Sequence, residues 1–341
     1  MMHKLSLVLL LAVVLVVPAS GQTSSETLKV VFWNVENLFD TADDSLTNDD
    51  EYLPYGIRGW SKERYQQKLF KLYKTLVAIG EWEFPPLIAL AEVENKQVLQ
   101  DLLDYTPLMK AGYRIVHQDS EDRRGIDLAI LYRPDLLQIL DTTFIQLSFP
   151  DAPQSKSRDI IHAVVKPKFS EEFHLFVNHW PSRYGGGRSS ESRRIFAASV
   201  VRKKLDSLYL LEPQLRAVVM GDFNDVPEDA SLKELTNTPV KLTHVTAQSF
   251  YGTHKFQGIW SHFDQVWVSE PLSQPQEGVS LSVVAAHIFH PDWMLETDKG
   301  FGGLKPNRTY EGYRYHGGFS DHLPLFIELT MPQPPLADGE Q

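Results

Sequence analysis

Short apolar runs, most of them closed by a polar cluster, recur along almost the whole chain, and this punctuation is its strongest signal. Residues 28–33 alternate and carry β-branched side chains, so they predict a strand that ends in Asn34, Val35, Glu36 and Asn37. Residues 87–91 form a similar run ending in Glu92, Glu94 and Asn95. Further strands are expected at residues 113–117, 127–132, 137–145, 159–165 and 173–178. The run at 218–220 passes through Gly221 into Asp222, Asn224 and Asp225, and strands at 242–246, 263–268, 280–286 and 323–329 complete the series.

Helical spacing is rarer. Ser61 reads as an N-cap, followed by apolar Tyr65, Leu69, Leu72, Tyr73, Leu76 and Ile79 before Gly80 stops the helix. Asn95 caps a second helix that reaches Asp104. Ser189 or Ser190 opens a third, with Ile195, Phe196, Val200, Val201 and Leu205 expected on one face. So many short strands with few helices between them predict hairpins in mixed or antiparallel sheets, not repeated βαβ units. The order of strands and one or two helices occurs twice, which predicts an α/β (α+β) fold of two sheets packed face to face with helices outside.

Composition adds bounds. At 341 residues, 43% hydrophobic and 23% charged, with no linker-like segment, residues 22–333 are expected to form one domain. The N-terminus departs from this average, since Lys4 precedes an apolar run at 5–17 and then Pro18, Ala19, Ser20 and Gly21. That run is shorter than the roughly 20 residues that span a bilayer but fits a signal peptide over residues 1–21. A secreted or periplasmic chain with no stable membrane anchor is the expectation, with residues 334–341 a disordered tail. The absence of cysteine rules out disulfides, thiolate chemistry and a lipid anchor at that junction. The net charge of −11 becomes −12 once Lys4 is removed, so binding of a polyanion requires a local basic patch or bridging dications.

Polar clusters stand at the ends of separate strands: 34–37, 92–95, 178–183, 222–224 and 320–322, with Asp264 inside a sixth. Asn, Asp, Glu and His without Cys describe a site for a hard cation held by oxygen, with imidazoles placed for proton or phosphate work. The segments WNVENLF, AEVEN, NHWPSR, GDFND, FDQVWV and GGFSDH, in that order, resemble the endonuclease/exonuclease/phosphatase family, which includes DNase I and the apurinic endonucleases. The resemblance spans nearly the whole mature chain. It implies a four-layered α/β sandwich and cleavage of phosphoester bonds with Mg²⁺, or with Mn²⁺ or Ca²⁺ in its place.

Carried across by position, Asn34 and Glu92 resemble the family's metal pair, Glu36 a further acid of that shell, and Asp321 a residue on the metal or just behind it. Asp222 and Asn224 resemble the pair that orients the attacking water and holds the phosphoryl group. Asp264 and His322 resemble an Asp/His dyad in which the carboxylate fixes the imidazole and supports its positive form. His179 resembles the histidine of the DNase I branch, with Asp127 as a supporting acid. No counterpart is found for the tyrosine and arginine that apurinic endonucleases set beside the phosphate, which speaks against specialised abasic-site cleavage. Substrate binding is expected from Arg183 and Arg188 in a glycine-rich loop, and from Arg314 and Tyr315 where cations and rings interleave. The resulting expectation is a monomeric, exported phosphodiesterase acting on nucleic acid. A phosphatase or phospholipase of inositol phosphates, nucleotides or sphingomyelin is one alternative, and a non-catalytic binding module is another.

Overall fold

Each of two six-stranded sheets carries one parallel pair of strands at its centre, and that pair positions the chemistry. The structure, a computed structural model, describes residues 27–183, 187–274 and 281–330, without the side chains of 187–189. The expected signal peptide and the 334–341 tail lie outside the described residues.

The first sheet contains β1 (Thr27–Leu38), β2 (Leu87–Val93), β3 (Arg114–His117), β4 (Asp127–Tyr132), β13 (Ser282–Ile288) and β18 (Leu325–Thr330). Its order is β13-β18-β1-β2-β4-β3, and only β1 and β2 run parallel. The second contains β5 (Leu137–Ile145), β6 (Ile160–Pro167), β7 (Phe173–His179), β8 (Ala217–Asp222), β9 (Leu242–His244) and β12 (Asp264–Ser269). Its order is β5-β6-β7-β8-β12-β9, and only β7 and β8 run parallel. Parallel neighbours end at the same edge of a sheet, so each central pair delivers two polar clusters side by side.

The period-two alternation of β8 shows how the layers stack. Val218 and Met220 join the core between the sheets, together with Leu175 and Val177 of β7, Val266 and Val268 of β12, and the β1–β2 residues. Ala217 and Val219 face the other way, onto a cluster formed with α3 (Gly187–Leu211) and α4 (Ala230–Leu235). On the far side, α1 (Lys62–Ile79) and α2 (Lys96–Asp104) cover the first sheet through Leu69, Leu72, Leu76, Leu99 and Leu102. The result is a four-layered α/β sandwich, as the sequence pattern predicts. Ser61 and Asn95 accept the backbone N–H groups of Arg64 and Val98, so both N-caps form as read.

One expectation is corrected and three small hairpins are added. The stripe that α3 buries is Arg194, Ala197, Ala198, Val201 and Leu205, while Ile195, Phe196 and Val200 are only half-buried. Arg194 sits there because its guanidinium pairs with the buried carboxylate of Asp225 at 2.7 Å. The segment 254–315 also holds three small hairpins that apolar period did not reveal: β10 (His254–Phe256) with β11 (Ile259–Ser261), β14 (Leu295–Thr297) with β15 (Leu304–Pro306), and β16 (Tyr310–Glu311) with β17 (Arg314–Tyr315). A short helix, α5 (Glu270–Ser273), follows β12. Among the described residues no helix is long and apolar enough to cross a membrane.

Inside the second sheet, His162 and His174 stack on adjacent strands with ring nitrogens 2.8 Å apart. Burial, reinforced by His174, pushes the His162 pKa down to about 4. A lowered imidazole pKa means that the unfolded chain binds more protons, so stability is lost as pH falls from about 6.5 towards 4. His162→Gln is therefore expected to narrow the Tm difference between pH 7 and pH 5, measured by thermal circular dichroism. An unchanged difference would assign the acid sensitivity elsewhere.

Candidate active site

The ends of the two parallel pairs meet across the sandwich. Asn34 leaves β1 and Glu92 leaves β2, while His179 leaves β7 and Asp222 leaves β8. Asp222 Oδ2 accepts from Asn34 Nδ2 at 3.1 Å, and Asn34 Nδ2 lies 3.4 Å from Glu92 Oε1. His179 Nε2 is 3.6 Å from Asp222 Oδ2 and 3.9 Å from Glu92 Oε1. From the other side, His322 Nε2 stands 3.8 Å from the same Asp222 oxygen. Its Nδ1 is 2.7 Å from Asp264 Oδ2. The two imidazole contacts that converge on Asp222, at 3.6 and 3.8 Å, are too long for direct hydrogen bonds and leave room for a bridging water or phosphoryl oxygen.

The backbone is bent to make this convergence. Glu36, Asn37, Glu92 and Asn224 hold φ of 54°, 54°, 65° and 52°, a left-handed conformation that non-glycine residues adopt only where their surroundings enforce it. Gly221 has φ 149°, and a Cβ there would lie 2.1 Å from the Asn178 carbonyl oxygen, so glycine alone lets β8 close on β7. Asn178 ties this corner together, donating to the carbonyls of Phe176 and Met220 and accepting from Trp180 Nε1. The segment 320–322 is pinned to the end of β1. Ser320 Oγ donates to Asn34 O at 2.7 Å and accepts from His322 N, while Trp33 Nε1 donates to His322 O at 2.9 Å.

The charges separate into roles. Burial works against a charged His322, yet Asp264 and Asp222 outweigh it and hold its pKa well above the ordinary value. His179 goes the other way, because burial and the nearby cations Arg158 and Arg124 push its pKa well below the ordinary value. The centre thus holds one imidazolium and one neutral imidazole. Burial, with Asp264 adding to it, raises Asp222 to about 6. Glu92, Asp222 and Asp264 outnumber the single cationic imidazole, and the excess negative charge on hard oxygen donors fits a divalent cation. Glu92 Oε1, without a short hydrogen bond, is the oxygen most directly available to it. Asn34 turns its NH₂ to the cluster, because its Oδ1 accepts from Glu36 N at 3.0 Å.

Several expected residues are placed elsewhere. Glu36 is not in the cluster; its carboxylate accepts from the backbone of Thr309 and Tyr310 and faces Arg308, so it anchors the 307–310 loop. Asp321 pairs with Arg308 at 2.8 Å; although burial opposes it, Arg308 and His322 draw its pKa down to about 2. Arg183 is committed to Asp225, Asp229 and the Asn224 carbonyl, and so braces the loop after β8 instead of facing substrate. Asn224 gives its NH₂ to Trp180 O and its backbone N–H to Asp222 Oδ1. Asp127 does not support His179: it accepts from Ser120 N, and the buried Nδ1 of His179 has no hydrogen-bond partner. Tyr315 lies under the Arg64 guanidinium and donates to Gln67 on α1, which fixes the hairpin that also carries Arg314. The side chain of Arg188 lies outside the described residues.

Sequence reasoning missed His254 and a group of cations. His254 packs its ring 4.8 Å from that of His322, and burial with His322 lowers its pKa to about 4, so it is a neutral neighbour. Its segment, THKF, carries no signal of this. Arg124 and Arg158, which act on His179, sit in charged loops that read as solvated surface.

The family profile described as "Endonuclease/Exonuclease/phosphatase family" matches residues 29–331. The chain belongs to the endonuclease/exonuclease/phosphatase family. With that membership, it is a hydrolase acting on phosphoester bonds in a family that depends on divalent metal. Among solved structures, an endonuclease/exonuclease/phosphatase family protein from Bacteroides thetaiotaomicron is similar at 18% identity and TM-score 0.57, covering 91% of this chain and 99% of that one. A mannosyl-6-phosphatase from the same organism is similar at 19% identity and TM-score 0.58, covering 89% and 100%. The D. rerio TDP2 structure with a single-strand DNA product reaches 16% and 0.56, covering 89% and 99%. These identities establish a shared fold. A comparison with curated proteins returned no significant match.

Proposed function

We propose that this member of the endonuclease/exonuclease/phosphatase family is an exported, Mg²⁺-dependent phosphodiesterase that hydrolyses nucleic acid. The observation that carries the reading is the convergence of His179 and His322 on Asp222 at 3.6 and 3.8 Å. A phosphoryl group seated there meets an imidazolium at one oxygen and a neutral imidazole at another. Asp222 accepts the hydrogen bond of the attacking water and aligns it, which is positioning catalysis. His322, fixed by Asp264, offsets the charge that builds on the phosphoryl oxygens. Glu92 would hold the divalent ion, which supplies further charge neutralisation when bound.

A nucleic-acid substrate is favoured by what flanks the centre. Arg124 and Arg158 lie on the His179 side. On the His322 side the hairpin that bears His254 presents exposed Phe256 and Ile259, and Phe301 packs against its turn at Gly258. Cations on one flank and exposed apolar side chains on the other suit a phosphate chain that crosses the centre with a base stacked at the rim. Export is supported by Lys4 and the apolar run at 5–17, which predict a mature chain beginning near Gln22.

The test uses protein recovered from the medium or periplasm, incubated with plasmid DNA and Mg²⁺, then with EDTA. Chelator-sensitive nicking is the expected result. Intact plasmid together with phosphate release from small monoesters would replace the nuclease reading with a phosphatase.

A further inference from the structure

Beside His179 lies a concavity of ≈ 360 Å³ lined by five cations, Arg123, Arg124, Lys156, Arg158 and Arg193. Two carboxylates oppose them. Asp122 takes Arg158 at 3.2 Å and Arg124 at 3.5 Å, and Glu121 takes Lys156 at 2.6 Å. The concavity therefore carries excess positive charge on a chain whose net charge is −11. Such a local reversal of sign concentrates anions.

The floor of this concavity is built, not merely charged. Arg158 is 4% exposed and Ser157 5% exposed, and both line it. Arg158 spends Nη1 on Asp122 and Nη2 on the carbonyl of Trp180, at 2.8 Å, while its Nε finds no hydrogen-bond partner. The buried hydroxyl of Ser157 has none either. Both orphaned atoms lie beneath the accessible surface, so an anion entering the hollow meets the cations above them, while the buried Arg158 guanidinium acts on it through its charge. Trp180, whose carbonyl takes Arg158 Nη2, directly follows His179, and Pro181 lines the hollow, so its wall begins two residues along the chain from His179.

We infer that this concavity is a second anion subsite, which seats a phosphate group of the substrate other than the one being hydrolysed. The substrate class is then an organic phosphate bearing at least two phosphate groups, with the second held by Arg193 and Lys156 and attracted by the buried charge of Arg158. This inference rests on the phosphoester site described above but not on turnover of DNA. A dinucleotide backbone and a small bisphosphate share the chemistry, and the experiment separates them.

Calorimetric binding of four probes to the full chain tests it: adenosine 3′,5′-bisphosphate, adenosine 5′-monophosphate, fructose 1,6-bisphosphate and fructose 6-phosphate. Wild type is expected to bind a bisphosphate about 10- to 100-fold more tightly than its monophosphate, the range that charge-assisted contacts provide. Lys156→Ala/Arg193→Ala, both changes outside the buried floor, is expected to collapse that preference to within about threefold with folding retained. Preference in the adenosine pair alone marks a nucleotide chain, and preference in the fructose pair as well marks phosphate spacing alone. Equal binding of bisphosphate and monophosphate to wild type overturns the subsite, as does a double variant that keeps the full preference. Failure of the plasmid assay with the bisphosphate preference intact would remove the nuclease reading and leave the subsite standing.

Discussion

Replacing His322 by alanine is expected to lower kcat by about 10³-fold or more, roughly 4 kcal/mol of lost transition-state stabilisation. The size follows from three coupled losses. The positive charge held by Asp264 and Asp222 disappears, Asp264 is left buried without its partner at 2.7 Å, and one wall of the gap around Asp222 opens. Because a buried carboxylate stripped of its partner also destabilises the fold, His322→Gln and Asp222→Asn accompany it. Each is expected to lose a similar factor while near-ultraviolet circular dichroism stays that of wild type. Turnover within about threefold of wild type in Asp222→Asn would remove that carboxylate from the reaction.

Chelation with EDTA is expected to abolish hydrolysis and Mg²⁺ to restore it. In Glu92→Gln the Mg²⁺ concentration for half-maximal rate should rise by about tenfold or more, since an ionised oxygen ligand becomes a neutral one. Glu92 is suited to this test because its Oε2 accepts from Asn37 N at 2.9 Å, a contact a glutamine oxygen preserves, while Oε1 faces the cluster. Titration of metal against initial rate gives the answer directly. A Glu92→Gln chain with an unshifted Mg²⁺ requirement would place the ion elsewhere, and Asp222, Asp264 and His322, whose ligand atoms lie within 4.8 Å of one another, are the next group to examine.

The residues that are legible in the sequence share one property: each polar cluster ends, opens or lies beside an apolar strand, so reading the strands points to the site as well. Asn34, Glu92, His179, Asp222, Asp264 and His322 were found that way, and the structure brings all six together. Glu36, Asp321 and Arg183 obey the same rule and yet serve the scaffold. Nothing in a one-dimensional pattern distinguishes a carboxylate aimed at solvent from one aimed at the backbone N–H groups of residues 309 and 310, far along the chain. Arg158 was invisible for the opposite reason, since its neighbours Lys156 and Asp159 make it look like surface while its side chain is buried against Asp122 and Trp180. The small hairpins at 254–315 escaped because strands of two or three residues complete no period. Arg194 on α3 escaped because a charged residue in a helical stripe reads as its edge unless a partner such as Asp225 is known.

One consequence of the two parallel pairs concerns how activity returns after unfolding. Asn34 and Glu92 arrive on one sheet, His179 and Asp222 on the other, so the candidate site is complete only when the two sheets are docked. During refolding, regain of secondary structure should run ahead of regain of turnover, with the interval between them timing the docking of the layers. The enzyme's own assay is thus a clock for the last assembly step.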